Sequence, residues 1–195
     1  AAEAPAVMDE ATPTDLASLR EPPAAPQVAT HNFRFSEDYD LYPSGAKTKY
    51  KNNVMAIKLL KQIELEKRTA TPEEQIILAR YVGWGGLANA FSSTASGWEN
   101  EYQELKSLLT DVEYKAAMDS TITAYYTEPD LIRHIYRALE RFGFEGGPDR
   151  KILDPGMGTG NFYSVLPEQF QGSKLFGVEL DSITGRIAKQ LYPDA

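Results

Sequence analysis

The 195-residue chain has no cysteine, so neither disulfides nor thiolate metal sites are available to it. That absence suits a reducing compartment, and a cytoplasmic location is the expectation. Histidine is nearly as scarce. His31 and His134 lie far apart, so a zinc site would have to lean on several carboxylates, and none is expected. Long apolar runs are also missing. The longest cover only a few residues, too short for a hydrocarbon layer of ~30 Å, and no membrane partner is expected. No basic-plus-apolar leader opens the chain, which argues against a signal peptide. Positive charge is in deficit: 20 Lys and Arg against 28 Asp and Glu give a formal net charge of −8. This disfavours a free-standing nucleic-acid binder, which needs clustered cations for its phosphate contacts. What the sequence does have is apolar material. With 42% hydrophobic and 11% aromatic residues, it can pack a core in one domain, or in one and a fraction.

Residues 1–30 hold Pro5, Pro13, Pro22, Pro23 and Pro26 among Ala, Glu and Thr, without sustained periodicity. Such a stretch cannot bury enough apolar surface to offset its ordering entropy, and it reads as a disordered Ala/Pro-rich linker. The chain begins without Met, so a fragment of a longer polypeptide is expected. Residues 31–120 read as a helical accessory region. Asn32 to Phe35 alternates briefly, and Asp38 to Gly45 reads as a loop. Tyr50, Val54, Ile57 and Leu60 then recur at helical spacing between Lys47 and Lys67. From Ala46 to Arg68 seven cations face two anions. A solvated helix face and a contact with the DNA backbone are both open readings of that run. Thr71-Pro72-Glu73-Glu74 is a capping box with Pro in the first turn, and it starts a second helix. That helix runs into Tyr81-Val82-Gly83-Trp84-Gly85-Gly86-Leu87. Here either a buried Trp84 pins a reversal, or a loop offers Trp84 to a partner or a base. Further helices are expected from Glu99 to Leu109 and, behind a capping box at Thr110–Glu113, to Met118.

Residues 121–195 differ in character. Thr127 is a natural N-cap, with Pro129 in the first turn of a helix that would bury Leu131, Ile132, Ile135, Tyr136, Leu139 and Phe142. A short strand over Lys151-Ile152-Leu153 leads into a Gly-rich loop and a helix to about Leu166. Lys174 to Val178 is a second strand and Ser182 to Leu191 another helix. Strand, loop, helix, strand, helix opens a parallel α/β sheet, whose ligand belongs beyond the carboxyl ends of the strands.

Asp154-Pro155-Gly156-Met157-Gly158-Thr159-Gly160-Asn161-Phe162 is the most informative stretch. Glycine removes the Cβ, so the backbone can approach a ligand at contact distance. A dinucleotide site wants G-x-G-x-x-G straight after an apolar strand, because pyrophosphate must meet a helix N-terminus. Here the pattern is G-x-G-x-G behind Asp-Pro, and the Gly-Lys-Ser/Thr tail of a P-loop is missing. A carboxylate at that point repels pyrophosphate and attracts an ammonium group. S-adenosylmethionine, which carries an ammonium, a sulfonium and no phosphate, is the expected cofactor. Glu179 follows 25 residues after Asp154, at the end of the second strand, where an acid can accept from both ribose hydroxyls. Asp181 reads as the N-cap of the next helix.

Tyr125-Tyr126-Thr127-Glu128-Pro129, the Gly-rich stretch and Gly177-Val178-Glu179-Leu180-Asp181 resemble, in order and spacing, three motifs of the N6-adenine DNA methyltransferases. Residues 31–195, above all Arg80 to Leu87, resemble a segment of large proteins from phages, plasmids and conjugative elements that fuse a methyltransferase to a helicase. The resemblance implies a truncated, Rossmann-like S-adenosylmethionine-dependent methyltransferase fold over residues 121–195, preceded by the helical region. It implies DNA as a partner of the full-length protein, and a covalently linked helicase domain. By the same resemblance Gly156, Gly158 and Gly160 would line the cofactor, Asp154 would hold its amino-acid end and Glu179 its ribose. Tyr126 and Thr127 would approach its carboxylate, and Leu180 or Ile183 would flank the adenine. The family's Pro-Pro-aromatic motif does not follow Glu179, so this chain by itself is not expected to methylate DNA. A non-catalytic docking or regulatory module is the alternative expectation.

Overall fold

The computed structural model describes residues 31–42 and 44–195, so the linker expected over residues 1–30 lies outside the described residues. Among the described residues there are seven α-helices and a two-stranded parallel sheet, a mixed α/β architecture.

Helix α1 (Ala46–Leu65) follows the pattern of its apolar residues. Tyr50, Val54, Ile57, Leu60 and Ile63 recur every three or four positions and are all buried. α2 (Pro72–Ala79) starts at a complete capping box, with the Thr71 side chain on the Glu74 N–H and the Glu74 carboxylate on the Thr71 N–H. α3 (Glu99–Leu108) is followed by α4 (Asp111–Asp119), which opens on a second complete box between Thr110 and Glu113. The basic run on α1 is an ion-paired seam more than a solvated face. Lys47 pairs with Glu101, Lys58 with Glu104, Lys61 with Glu113, and Arg68 with Glu66 and Glu74. Four of its cations are thereby held by neighbouring acids, so the run presents much less positive charge than its letters suggest.

Gly83 to Gly86 form a buried turn. Trp84 is 1% exposed and stands edge-on to Tyr50, Tyr81 and Phe91. Asn53, fully buried on α1, holds the turn from both sides. Its Nδ2 donates to the Gly83 carbonyl at 2.6 Å, and its Oδ1 accepts the Val82 N–H at 2.9 Å. The pinned-turn reading of this segment therefore stands, and Trp84 is not offered to a partner.

α5 (Pro129–Arg141) has its N-cap one residue later than expected. Glu128 occupies the N-cap position with no side-chain bond, because the Pro at the next position fixes the entry without one. Its inner side is Ile132 and Tyr136, whereas Leu131, Ile135 and Phe142 are exposed. The apolar residues of α5 thus run round more of the helix than one face can bury. β1 (Lys151–Asp154) pairs with β2 (Lys174–Gly177) in register Lys151 to Lys174 through Asp154 to Gly177. Between them α6 (Asn161–Ser164) is a single turn that stops short of Leu166. α7 (Ser182–Leu191) starts at Asp181, whose side chain accepts the Thr184 N–H, as its capping role required.

α7 packs on α1 and α2. Its Arg186 pairs with Glu64 and Glu113, and Gln75 of α2 donates to the Gln190 carbonyl at 2.9 Å. The Asn32–Phe35 stretch forms no strand. The Phe33 N–H donates to the Leu191 carbonyl and the Phe35 N–H to the Ser164 carbonyl, tying it to the ends of α7 and α6. One continuous apolar cluster runs from Tyr50 and Trp84 to Ile183 and Leu191.

Candidate ligand-binding site

The Gly-rich loop is shaped by bonds it makes to itself and to β2. Asp154 Oδ1 accepts the Gly156 N–H at 3.1 Å, closing a tight turn straight off β1. The Met157 N–H donates to the Val178 carbonyl, which extends the sheet contact past the strands. The Gly158 N–H then donates to Glu179 Oε2 at 2.9 Å, and the Asp181 N–H donates to Oε1 at 2.8 Å. Both oxygens of Glu179 are thus aimed by backbone donors. Each keeps a lone pair free, a pairing suited to two adjacent hydroxyls.

Gly158 has φ +55°, and a Cβ there would sit 3.1 Å from the Tyr126 ring. A Cβ on Gly83 would sit 3.2 Å from the same ring. Tyr126 therefore lies between the Gly-Trp turn and the Gly-rich loop. Its hydroxyl contacts Thr184 Oγ1 at 3.3 Å, which in turn donates to Asp181 Oδ2 at 2.5 Å. Burial pushes the Tyr126 phenol above the usual tyrosine range, and the nearby Glu179 and Asp181 add to the rise against the Thr184 hydrogen bond. Burial likewise raises Tyr81, with Tyr126 and Asp181 contributing. Both tyrosines are neutral hydroxyls at pH 7.

These groups line a crevice of about 470 Å³ at the carboxyl end of β2. Four of the seven residues expected at the site meet in it: Tyr126, Gly156, Gly158 and Glu179. Three do not line it. Asp154 turns instead to a shallow groove with Pro155, Phe162 and Tyr136, its carboxylate engaged with Gly156. The Thr127 carbonyl accepts from Asn161 Nδ2 at 3.0 Å. Gly160 is needed for packing, since a Cβ there would stand 2.3 Å from the buried Tyr192 ring. The crevice also takes residues that sequence reasoning did not assign to it, among them Tyr81, Thr184 and the Ala116–Ala124 stretch. Tyr81 lay beside a conspicuous glycine cluster, whereas nothing in the letters of residues 116–124 marked them.

The lining holds three acids, Asp119, Glu179 and Asp181, and no Lys, Arg or His. Asp119 is paired with Lys115 at 2.5 Å. Asp181 receives both Thr184 bonds on Oδ2. Such a cavity repels phosphate and favours a cationic ligand bearing hydroxyls. Glu179 and the glycines are the groups placed where a ribose-bearing ligand could be held, and Asp154 lies outside that lining. Among the described residues no group of three or more His, Cys, Asp or Glu could hold a metal ion, and no helix is long and apolar enough to cross a membrane.

The chain is similar to "Defense against restriction protein B" of Escherichia phage P1, with 25% identity over 142 residues. The match covers 73% of this chain and 5% of the phage protein. No protein-family model matches the chain, and no solved structure matches it. The family expectation is corrected accordingly. The relative is named for defence against restriction and not for adenine methylation. The assignment to N6-adenine DNA methyltransferases fused to helicases falls, and with it the transferase activity. What remains is a mixed α/β chain with an acidic, glycine-lined crevice, distantly similar to part of a phage restriction-defence protein.

Proposed function

We propose that this chain is a ligand-binding module whose crevice takes a cationic, phosphate-free nucleoside, S-adenosylmethionine being the expected member of that class. The observation that carries the proposal is the Glu179 carboxylate. It is fixed by the Gly158 and Asp181 N–H groups at the end of β2, inside a cavity that offers acids and hydroxyls and no cation. The β1–α6–β2 arrangement, two parallel strands joined through a helix, supports reading residues 121–195 as the opening of a Rossmann-like sheet. Residues 31–120 supply the facing wall, including Tyr81 and Gly83. The similarity to the phage protein supports a place within a larger protein that counteracts restriction. Contact with DNA is then a task of that larger polypeptide, because four cations of the α1 run are engaged with acids.

Calorimetric titration of the chain with S-adenosylmethionine, with ATP and NAD as phosphate-bearing controls, tests the proposal. Saturable binding of the sulfonium nucleoside and none of the controls is expected. Equal binding of ATP, or no heat from any of the three, rejects it.

A further inference from the structure

The mouth of the crevice carries two large side chains that the fold leaves uncovered. Tyr125 is 69% exposed and Leu180 99% exposed, and both line the cavity. They come from distant parts of the chain. Tyr125 follows the short 3-10 turn Ser120–Ile122, and Leu180 lies between β2 and α7. The Tyr125 ring is nonetheless seated. A Cβ on Gly85 would stand 2.1 Å from the Ala124 carbonyl oxygen and 3.2 Å from Tyr125 Cδ1. The bare backbone of Gly85 therefore lets residues 124–126 lie flat on the Gly-Trp turn, with Tyr125 against Gly85 and Tyr126 against Gly83. Of these adjacent tyrosines, Tyr126 hydrogen-bonds to Thr184 in the floor, while Tyr125 remains at the rim.

We propose that Tyr125 is the base-stacking residue of the site; Leu180, already expected beside the base from the sequence, lines the same crevice. The inference rests on the nucleoside reading above and adds which residues select the planar end of the ligand. Around Glu179 the crevice passes from polar groups to uncovered apolar ones. Half-buried Glu179 and Asp181 and the Tyr126 and Thr184 hydroxyls lie within, Asp119 is exposed beside Lys115, and an aromatic ring and a leucine stand uncovered. A nucleoside is ordered in the same way, with a hydroxyl-bearing sugar joined to a flat base. Tyrosine suits the task because its ring offers a large contact area with few torsions to freeze, and here a glycine backs it.

Two measurements on the full chain test this. Both native tryptophans are buried, Trp84 at 1% and Trp98 at 9% exposure, so Tyr125→Trp introduces a fluorophore in a different environment. Stacking is expected to quench its emission as S-adenosylmethionine saturates the site. In parallel, Tyr125→Ser should weaken that ligand by roughly tenfold or more, the scale of one base–aromatic stack, while Tyr125→Phe restores it. Unchanged affinity in Tyr125→Ser, or calorimetric saturation of Tyr125→Trp without quenching, overturns the stacking role and leaves the nucleoside reading standing. Failure of the unaltered chain to bind the nucleoside overturns both.

Discussion

Glu179 accepts the backbone N–H of Gly158 at 2.9 Å, which ties its carboxylate to the Gly-rich loop beside the Met157–Val178 backbone bond. The same carboxylate takes the Asp181 N–H, which leaves it no freedom to rotate without losing a partner. Glu179→Gln turns an amide N–H₂ toward one of those two donors. The nucleoside affinity should fall by roughly tenfold or more, and the melting temperature should drop slightly, because one buried-side hydrogen bond is worth about 1 kcal/mol. Calorimetry and a thermal melt of the same sample read both.

Asp154 makes the opposite prediction. Its carboxylate closes its own turn and stays outside the crevice lining. Asp154→Asn keeps an acceptor for the Gly156 N–H, so ligand affinity should change less than about threefold. A loss as large as that of Glu179→Gln would restore the two-acid cradle expected from the sequence.

The three glycines of the loop should respond differently to alanine. Gly156 has open space where a Cβ would go, so Gly156→Ala should leave unfolding by urea nearly unchanged. Gly158→Ala meets a positive φ and the Tyr126 ring, and Gly160→Ala meets a positive φ and the ring of buried Tyr192. The backbone strain alone is about 1–3 kcal/mol. Gly160→Ala should be the most destabilising of the three, because Tyr192 is 3% exposed and has nowhere to move.

Asn53→Ala removes both side-chain hydrogen bonds to the Gly-Trp turn. The Val82 and Gly83 backbone groups would be left without them, at a cost of about 2 kcal/mol or more. Tyr81 and Gly83 line the crevice, so ligand affinity should weaken along with the urea midpoint. Unaltered binding in a destabilised variant would separate the turn from the site.

Glu113 gives a pH signature. Burial opposes its ionisation, but hydrogen bonds from Arg186, Lys61 and the Thr110 N–H outweigh burial and lower its carboxyl from 4.5 to about 2. A depressed carboxyl stabilises the fold fully above its unfolded value. That contribution is lost as pH falls from 4.5 toward 2. Glu113→Gln should lower the urea midpoint at pH 7 and flatten its dependence on pH across that acid window.

Much of the fold was legible because it rests on local rules. The capping boxes at Thr71 and Thr110, the α1 stripe and the Asp181 cap are each written within a few consecutive residues. The convergence of Gly156, Gly158 and Glu179 was legible for a similar reason, since adjacent parallel strands bring their ends together. What escaped depends on contacts between distant parts of the chain. Lys47, Lys58 and Lys61 looked free only because their acids lie on α3 and α4. Gly160 was expected at the ligand, and its packing role escaped because the Tyr192 ring that requires a glycine there comes 32 residues later in the chain. The crevice wall from Ala116 to Ala124 carries no distinctive letters, and its position follows from how residues 124–126 cross the Gly-Trp turn.

The placement of one ring between Gly83 and Gly158 has a further consequence for how this chain can change. Positions 83, 126 and 158 share a single volume, although 75 residues separate the first from the last. A methyl group at either glycine needs the ring at 126 to give by a few tenths of an ångström, and the positive φ at both glycines strains such a residue whatever stands at 126. A smaller residue at 126 should therefore recover the crowding part of Gly83→Ala or Gly158→Ala and leave the backbone part, so the three positions couple without being freely interchangeable.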